Sequence, residues 1–498
     1  MIGVAAVLKK SRVLYNLSLT AVFALLGFLV MGYHPGIEDD GVYLSAVKAD
    51  VLPSLYPHDA DFFRLQLQAT LFDRWIAIFV AATHISVSWA ELFFQLLSLF
   101  SILAATYAIA EKLFVDEHAR WAGVAAVAAM FTLPVAGTAL YLVDQHLHPR
   151  NVATALILFA VARILASKPL QAVPLLLLAV LMHPIMAALG ISFCVVLALT
   201  AMEPVHAWLQ SWRGSLAAAV PLGWIFERPS PTWRVALETR RYYFPFRWTW
   251  YEWLGAIGPL VLFWLLYRWA RGLGNTVLAR FALSVVIYGV FQQSVALMML
   301  TPPSLVRLTP FQPMRFLHLI YVFLVLVAGC LAGKYLLKAS VWRWAVYLGV
   351  MCGGMFAPQR ALFASSPHLE LPGQKPGNAW LQAFAWIRDN TPRDAYFAMD
   401  PYYLEAPGED AHGFRALAER SQLADAVKDT AVVTQVPQLG PTWSKQVHAV
   451  DGWSHFQAAD FERLKAQFGV SWALVAYPAP AGLDCPWHND TLSVCRIP

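Results

Sequence analysis

Charge is scarce in this sequence. Only 13% of its 498 residues are Asp, Glu, Lys or Arg, against roughly 25% in soluble domains, which excludes a soluble globule along the whole chain. Cysteine is scarce too, at five residues, and Cys194, Cys330 and Cys352 fall inside apolar runs as packing residues. No G-x-G-x-x-G or P-loop pattern occurs, so a nucleotide site has no support. The basic residues are dispersed and the C-terminal part is acidic, which argues against nucleic acid as a partner. A cleaved leader is not indicated either. The first apolar stretch is too long for a signal h-region, and no small-residue cleavage site follows it.

Apolar sequence is abundant: 58% of residues are hydrophobic. Runs such as "AVFALLGFLVMG", "PLVLFWLLYRWA" and "FLHLIYVFLVLVAGCLAG" have the length and composition of bilayer spans. They predict a polytopic α-helical membrane protein with about eleven transmembrane helices at 13–32, 90–110, 119–138, 151–166, 170–183, 185–201, 214–226, 251–269, 276–299, 315–335 and 342–357. The large first outer loop, 33–89, contains "DADFFRLQLQATLFDRWIAIFVAATHI". It reads as one amphipathic helix on the outer surface, capped by Asp61; a further full span there would reverse everything downstream.

Residues 1–359 carry 25 Lys and Arg against 16 Asp and Glu, whereas 360–498 carry 11 against 15. That shift marks a boundary between a membrane domain, 1–359, and a small soluble C-terminal α/β domain, 360–498. In the second, "AYFAM", "AVVTQVP" and "VSWALVAY" read as strands, and "NAWLQAFAWIRDN", "GFRALAERSQLADAVKD" and "AADFERLKAQFG" as helices. Cys485 and Cys495 bracket "PWHNDTLSV" at a spacing that suits a disulfide across a hairpin, which needs an oxidising compartment. With eleven spans the N-terminus is cytoplasmic and the tail extracytoplasmic, that is, periplasmic or extracellular on a bacterial inner membrane. Cation type agrees: six of the seven lysines in 1–359 fall in predicted inner loops, and ten of the eleven outer cations are arginine. Arginine suits bidentate recognition of phosphate.

Under this topology five polar groups gather on the outer face. They are Glu38, Asp39 and Asp40 after span one; Asp144, His146, His148 and Arg150 in "YLVDQHLHPRN"; His183 in "LMHPIM"; Arg240, Arg241 and Arg247 in "ETRRYYFPFRWTWYEW"; and Arg307 and Arg315 in "SLVRLTPFQPMRFLH". Ionisable groups at membrane edges are costly and mark function by default. Each also has an ordinary explanation: a solvated acidic loop, a structural HLHP turn, a packing histidine, an interfacial arginine and aromatic belt. Their coincidence on one face raises the functional explanation.

This layout of an acidic motif in a large first outer loop, about eleven helices and an extracytoplasmic tail resembles the GT-C superfamily of membrane glycosyltransferases, including protein O-mannosyltransferases and aminoarabinose transferases. "DQHLHPRN", "LMHP" and the tail segments "WIRDNTPRDAYFAMDP" and "FRALAERSQLAD" look like segments of bacterial members. The resemblance implies an inverting transfer of a sugar from a polyprenyl-phosphate donor to an acceptor glycan, lipid or protein. A first-loop carboxylate acts as base, Asp39 first, Asp40 second, with Glu38 in support. Arg315, Arg307, Arg240, Arg241 and Arg150 are then the phosphate-binding set, with His146, His148 and His183 as further site residues. The second acidic pair is not D-x-D, so a divalent cation, Mg or Mn, is optional, with Asp40, Asp144 and His146 as its ligands. A transporter or flippase for an anionic lipid-linked substrate, and a non-catalytic scaffold of the same fold, are the alternative readings. A transporter calls for inverted repeats, and none is evident.

Overall fold

A computed structural model describes residues 2–202 and 229–498; the predicted span 214–226 lies outside them. Among the described residues five helices are long and apolar enough to cross a membrane, namely Ser11–Met31, Val87–Leu113, Trp250–Gly272, Thr276–Leu300 and Pro313–Leu337. Shorter apolar helices run over Pro169–Met182 and Pro184–Leu199, and further helices occupy Pro149–Leu165 and Val341–Leu362. Proline opens several of them at the first helical position, where its missing N–H costs nothing. Close backbone packing sets the centre of the bundle. A Cβ on Gly123 would sit 2.4 Å from Cys330 Sγ and one on Gly329 2.7 Å from the Ala122 carbonyl, so the helices Glu117–Ala129 and Leu317–Ala332 touch through glycine.

The predicted third span, 119–138, ends early. Its helix stops at Ala129, and Pro134, which cannot continue the hydrogen-bond ladder, begins a hairpin of β1 (Pro134–Val135) and β2 (Leu140–Tyr141). Gly137 at its tip has φ +66°, and a Cβ there would meet the Trp248 ring at 2.5 Å. The first outer loop also differs from one long surface helix. It holds Asp40–Val51, Asp61–Leu67 and Phe72–Thr83. The break falls where Leu71 N–H donates to the Leu181 carbonyl at 2.9 Å, a tertiary bond replacing a helical one. Asp61 is the first helical residue; Ala60 holds the cap position, and no side chain caps it.

In the tail a five-stranded sheet runs in the order β4-β3-β5-β7-β6, from β3 (Tyr396–Ala398), β4 (Ser421–Gln422), β5 (Trp472–Ala476), β6 (Asp484–His488) and β7 (Leu492–Arg496). β3 is parallel to β4 and β5, and the other pairs are antiparallel. Alternation along the strands sends Phe397, Trp472 and Leu474 to a core with the helix Ala379–Asn390, and Tyr396, Ala473 and Val475 to one with Ala458–Phe468. Cys485 and Cys495 are disulfide-bonded across β6 and β7.

Two tail assignments are corrected. "AVVTQVP" is no strand: Asp429–Gln435 is helical, because Val432, Val433 and Val436 share one face buried against the first-loop helices. "GFRALAERSQLADAVKD" gives only a five-residue helix, Phe414–Ala418. Glu419 turns left-handed at φ +54°, and the buried Arg420 guanidinium donates to the carbonyls of Arg388 and Thr391, both at 2.7 Å. One apolar core joins first-loop Phe62, Phe63 and Val47, then Trp233 and Tyr243, and tail Val433, Leu439 and Trp443. The tail therefore packs directly on the first loop.

Candidate active site

Span one ends at Met31, and the chain then runs as a short extended segment clamped by the tail. Tyr33 N–H donates to the His368 carbonyl at 3.0 Å, Glu370 N–H to the Tyr33 carbonyl at 2.9 Å, and Gly413 N–H to the Gly36 carbonyl at 2.8 Å. Glu38 is left-handed at φ +53°, its N–H held by the Ala411 carbonyl at 3.0 Å. A non-glycine residue stays in that conformation where its surroundings enforce it. The turn aims consecutive carboxylates apart. Asp39 keeps 45% of its side chain exposed in a cavity, while Asp40 is 2% exposed and accepts the Gly36 N–H at 2.6 Å. Burial raises the Asp40 pKa. It sits behind the loop, outside both cavities described below.

Two cavities share a wall at Asp39. The larger, about 890 Å³, is lined by Glu38, Asp39, Asp144, His146, Arg150, Arg240 and Arg315, with Tyr141, Leu362 and Phe363 on its apolar side. The smaller, about 290 Å³, is lined by Asp39, Tyr43, His148, His183, Tyr242, Tyr243, Gln312 and Arg315. Asp39, Tyr242, Arg315 and Lys428 belong to both. The larger falls within the size range of small-ligand sites, about 300–1,000 Å³.

The histidines follow from the chain turn at "HLHP". His148 caps the helix Pro149–Leu165, its Nδ1 accepting Arg150 N–H at 3.0 Å. A neutral ring then carries its proton on Nε2, and that atom lies 4.0 Å from Asp39 Oδ2. Burial first, and the Arg150 charge second, push the His148 pKa well down, so the ring is neutral. His183 caps the next helix by accepting Met186 N–H at 3.4 Å and stacks on His148 with ring centroids 6.1 Å apart. His146 lines the larger cavity, and neither of its ring nitrogens has a hydrogen-bond partner.

The five arginines separate. Arg315, half-buried at the shared wall, has no hydrogen-bonded partner for its Nε. Arg150 is fixed on Asp144 by two bonds, Nη2 to Oδ1 at 2.5 Å and Nε to Oδ2 at 3.1 Å. Arg240 lines the larger cavity and donates to the Val427 carbonyl and the Thr430 hydroxyl of the tail. Arg241 does not join them: its side chain is 61% exposed and pairs with Glu252 at 3.7 Å. Arg307 lines a separate cavity of about 510 Å³ with Trp233 and Gln435.

The ligand set Asp40, Asp144 and His146 does not assemble. Asp40 is turned away from the cavity, and both Asp144 oxygens face Arg150. Among the described residues no three His, Cys, Asp or Glu side chains are placed to hold a metal ion. These residues do not fit a resident cation.

Sequence reasoning passed over Lys428. Its ammonium hydrogen-bonds Glu38 Oε2 and lies 3.6 Å from Asp39 Oδ1, its side chain 14% exposed. Nothing local marks it, since it lies 389 positions from Asp39 in a segment that reads as soluble. Burial works to raise the Asp39 pKa, but Lys428, Arg150, Arg315 and His146 outweigh it and hold the carboxyl below its ordinary range.

No protein-family model matches the chain, and no curated protein matches it significantly. Solved structures of the oligosaccharyltransferase of Archaeoglobus fulgidus are similar to it. The apo form has a TM-score of 0.47 at 12% identity, over 93% of this chain and 69% of that one. The same archaeal enzyme, AglB, in complex with an inhibitory peptide and a dolichol-phosphate has a TM-score of 0.45 at 12% identity, over 93% and 70%. Its complex with Zn and sulfate has a TM-score of 0.39 at 13% identity, over 92% and 68%.

Proposed function

We propose that this chain transfers a sugar from a polyprenyl-phosphate donor to a hydroxyl acceptor, with Asp39 as general base. The observation that carries the proposal is the shared wall: one carboxylate, Asp39, and one guanidinium, Arg315, face both cavities. A transfer between two bound molecules needs its proton acceptor and its anion-binding group at the point where they meet. The donor phosphate is placed in the larger cavity, beside Arg315 and Arg240, with its lipid leaving along Tyr141, Leu362 and Phe363. The acceptor enters through the smaller cavity, among Tyr43, Tyr242, Tyr243 and Gln312.

In the transfer the acceptor oxygen attacks the anomeric carbon and its proton passes to Asp39. The bond from that carbon to the phosphate oxygen breaks, and its electron pair leaves with the phosphate. Arg315 stabilises the charge that grows there. His148, neutral and carrying its proton on Nε2, is placed to hold Asp39 in orientation as the carboxylate closes on the acceptor. Asp40 is kept as the anchor that folds the loop through Gly36.

The test is a panel of polyprenyl-phosphate sugars offered to the purified full chain in lipid. Asp39→Asn should lower transfer by roughly 10²-fold or more, the scale of general-base catalysis, with the melting temperature of the protein unchanged. Transfer by that variant at the wild-type rate would remove Asp39 as base.

A further inference from the structure

The turn ahead of the helix Asp429–Gln435 is built to hold one side chain in place. Asp425 Oδ1 accepts the backbone N–H of Val427 at 2.8 Å, of Lys428 at 2.5 Å and of Asp429 at 3.2 Å. Asp429 is gripped by both Nη atoms of Arg415, at 2.8 and 2.9 Å. From the membrane body, Arg240 bonds the Val427 carbonyl and the Thr430 hydroxyl on either side. The Lys428 backbone is therefore fixed from two directions, and the freedom left to this residue is in its four-carbon stem. That stem delivers an ammonium to Glu38 and Asp39 in a cavity walled by the membrane body on one side and by tail residues such as Leu404, Asp410 and Ala411 on the other.

A carboxylate paired with an ammonium is a weak base. Asp39 faces the cations Lys428, Arg150 and Arg315, and these outweigh the effect of burial on it. Proton transfer from an acceptor hydroxyl is more efficient to a carboxylate freed of that pairing. An incoming phosphate competes for the same ammonium. Lysine suits such an exchange, being a compact charge on a flexible stem, whereas arginine holds a carboxylate by a two-pronged fork.

We infer that Lys428 is the exchangeable counter-ion of this site: it pairs with Glu38 and Asp39 as seen here, and passes to the phosphate of an anionic lipid-linked donor when one enters the larger cavity. The inference rests on the donor reading above. The tail thereby couples base release to donor binding, so that Asp39 is freed only when there is a sugar to transfer. Lys428 is on this account a group that touches the donor.

Carbodiimide activation followed by an amine nucleophile labels protonated carboxyls, and peptide mass spectrometry reads the labelling of Asp39. The full chain in nanodiscs is labelled at neutral pH with and without sugar-free polyprenyl phosphate, and binding of that lipid is measured separately. Wild-type Asp39 should label weakly alone and several-fold more with the lipid phosphate. Lys428→Met should label several-fold more than lipid-free wild type in both conditions and bind the lipid phosphate more weakly. Lys428→Arg, which keeps the charge on a stiffer group, should stay weakly labelled in both. Melting curves show that each variant is folded. Lipid phosphate that binds wild type and leaves Asp39 labelling unchanged overturns the hand-over and spares the donor reading. Lys428→Met labelling like wild type overturns the pairing itself. A wild-type protein that binds no lipid phosphate overturns the donor reading and the hand-over with it.

Discussion

At Asp39 and Asp40 the backbone turns into the helix Asp40–Val51, so one carboxylate opens onto the cavities while the next folds back on the Gly36 N–H. No composition or spacing rule separates two adjacent aspartates; a left-handed turn at Glu38 held by the Ala411 carbonyl does. The same contrast runs through the arginines. Arg315 and Arg241 are equally cationic in sequence, yet Arg315 lies at the shared wall and Arg241 points to the surface. Arg315→Ala should weaken binding of a lipid phosphate by roughly 10- to 100-fold, the equivalent of losing about 1.5–3 kcal/mol of charged hydrogen bonding. It should affect acceptor affinity less. Arg241→Ala should leave both within a factor of two or so, as expected for an exposed pair. Titration of the two variants with donor lipid and with acceptor decides this, and equal loss of both ligands in Arg315→Ala would take away its phosphate role.

Helices along the membrane were legible because a long apolar run has few other fates, and those at 90–110, 251–269, 276–299 and 315–335 lie within helices of the structure or overlap them over most of their length. The misreadings fall where tertiary contacts override local preference. "AVVTQ" is rich in β-branched residues, yet it is helical because Val432, Val433 and Val436 fill one side of a core with Phe62 and Phe63. The loop helix breaks where Leu71 is captured by the Leu181 carbonyl. The carboxylates, histidines and Arg315 could be found from their places at span ends; Lys428 could not, because its role depends on how the tail docks. The turn that carries Lys428 is held inside the tail by the Arg415–Asp429 pair, buried to 8% and 1% side-chain exposure, and the same guanidinium lies over the first-loop Phe62 ring at 5.5 Å. Removing one partner of such a pair costs about 3–5 kcal/mol, since it strands the other charge. Asp429→Ala should therefore lower thermal stability by that order and let the Lys428 turn loosen. A melting temperature equal to wild type would show that the pair does not hold this turn.

Over the whole molecule, Asp39, Asp144, His183, Arg240, Arg315 and Lys428 come from six separate chain segments and line two adjoining cavities. Segments joined by membrane-length helices meet at one end only if the chain crosses back and forth with a consistent parity. The helix Val87–Leu113 shows the scale: its first turns lie near the site, where Gln95 donates to the Asp144 carbonyl at 2.8 Å. At about 1.5 Å rise per residue its 27 residues carry Val115 beyond its far end, close to a bilayer thickness away. Lys112, Arg120, Arg163 and Lys168 lie toward that far end, so a bias of basic residues toward the cytoplasm would make it the cytoplasmic one. Val115 is 94% exposed and Tyr402, in the tail, 53% exposed, so a cysteine at either is open to reagent. In a Cys352→Ser background, with Cys194 and Cys330 buried and Cys485 tied to Cys495, a membrane-impermeant maleimide applied to intact cells should label Tyr402→Cys. It should leave Val115→Cys untouched until the membrane is opened. Labelling of both from the same side would break the parity that brings the six segments together, and with it the case for a lipid-linked donor reaching Asp39 from the outer leaflet.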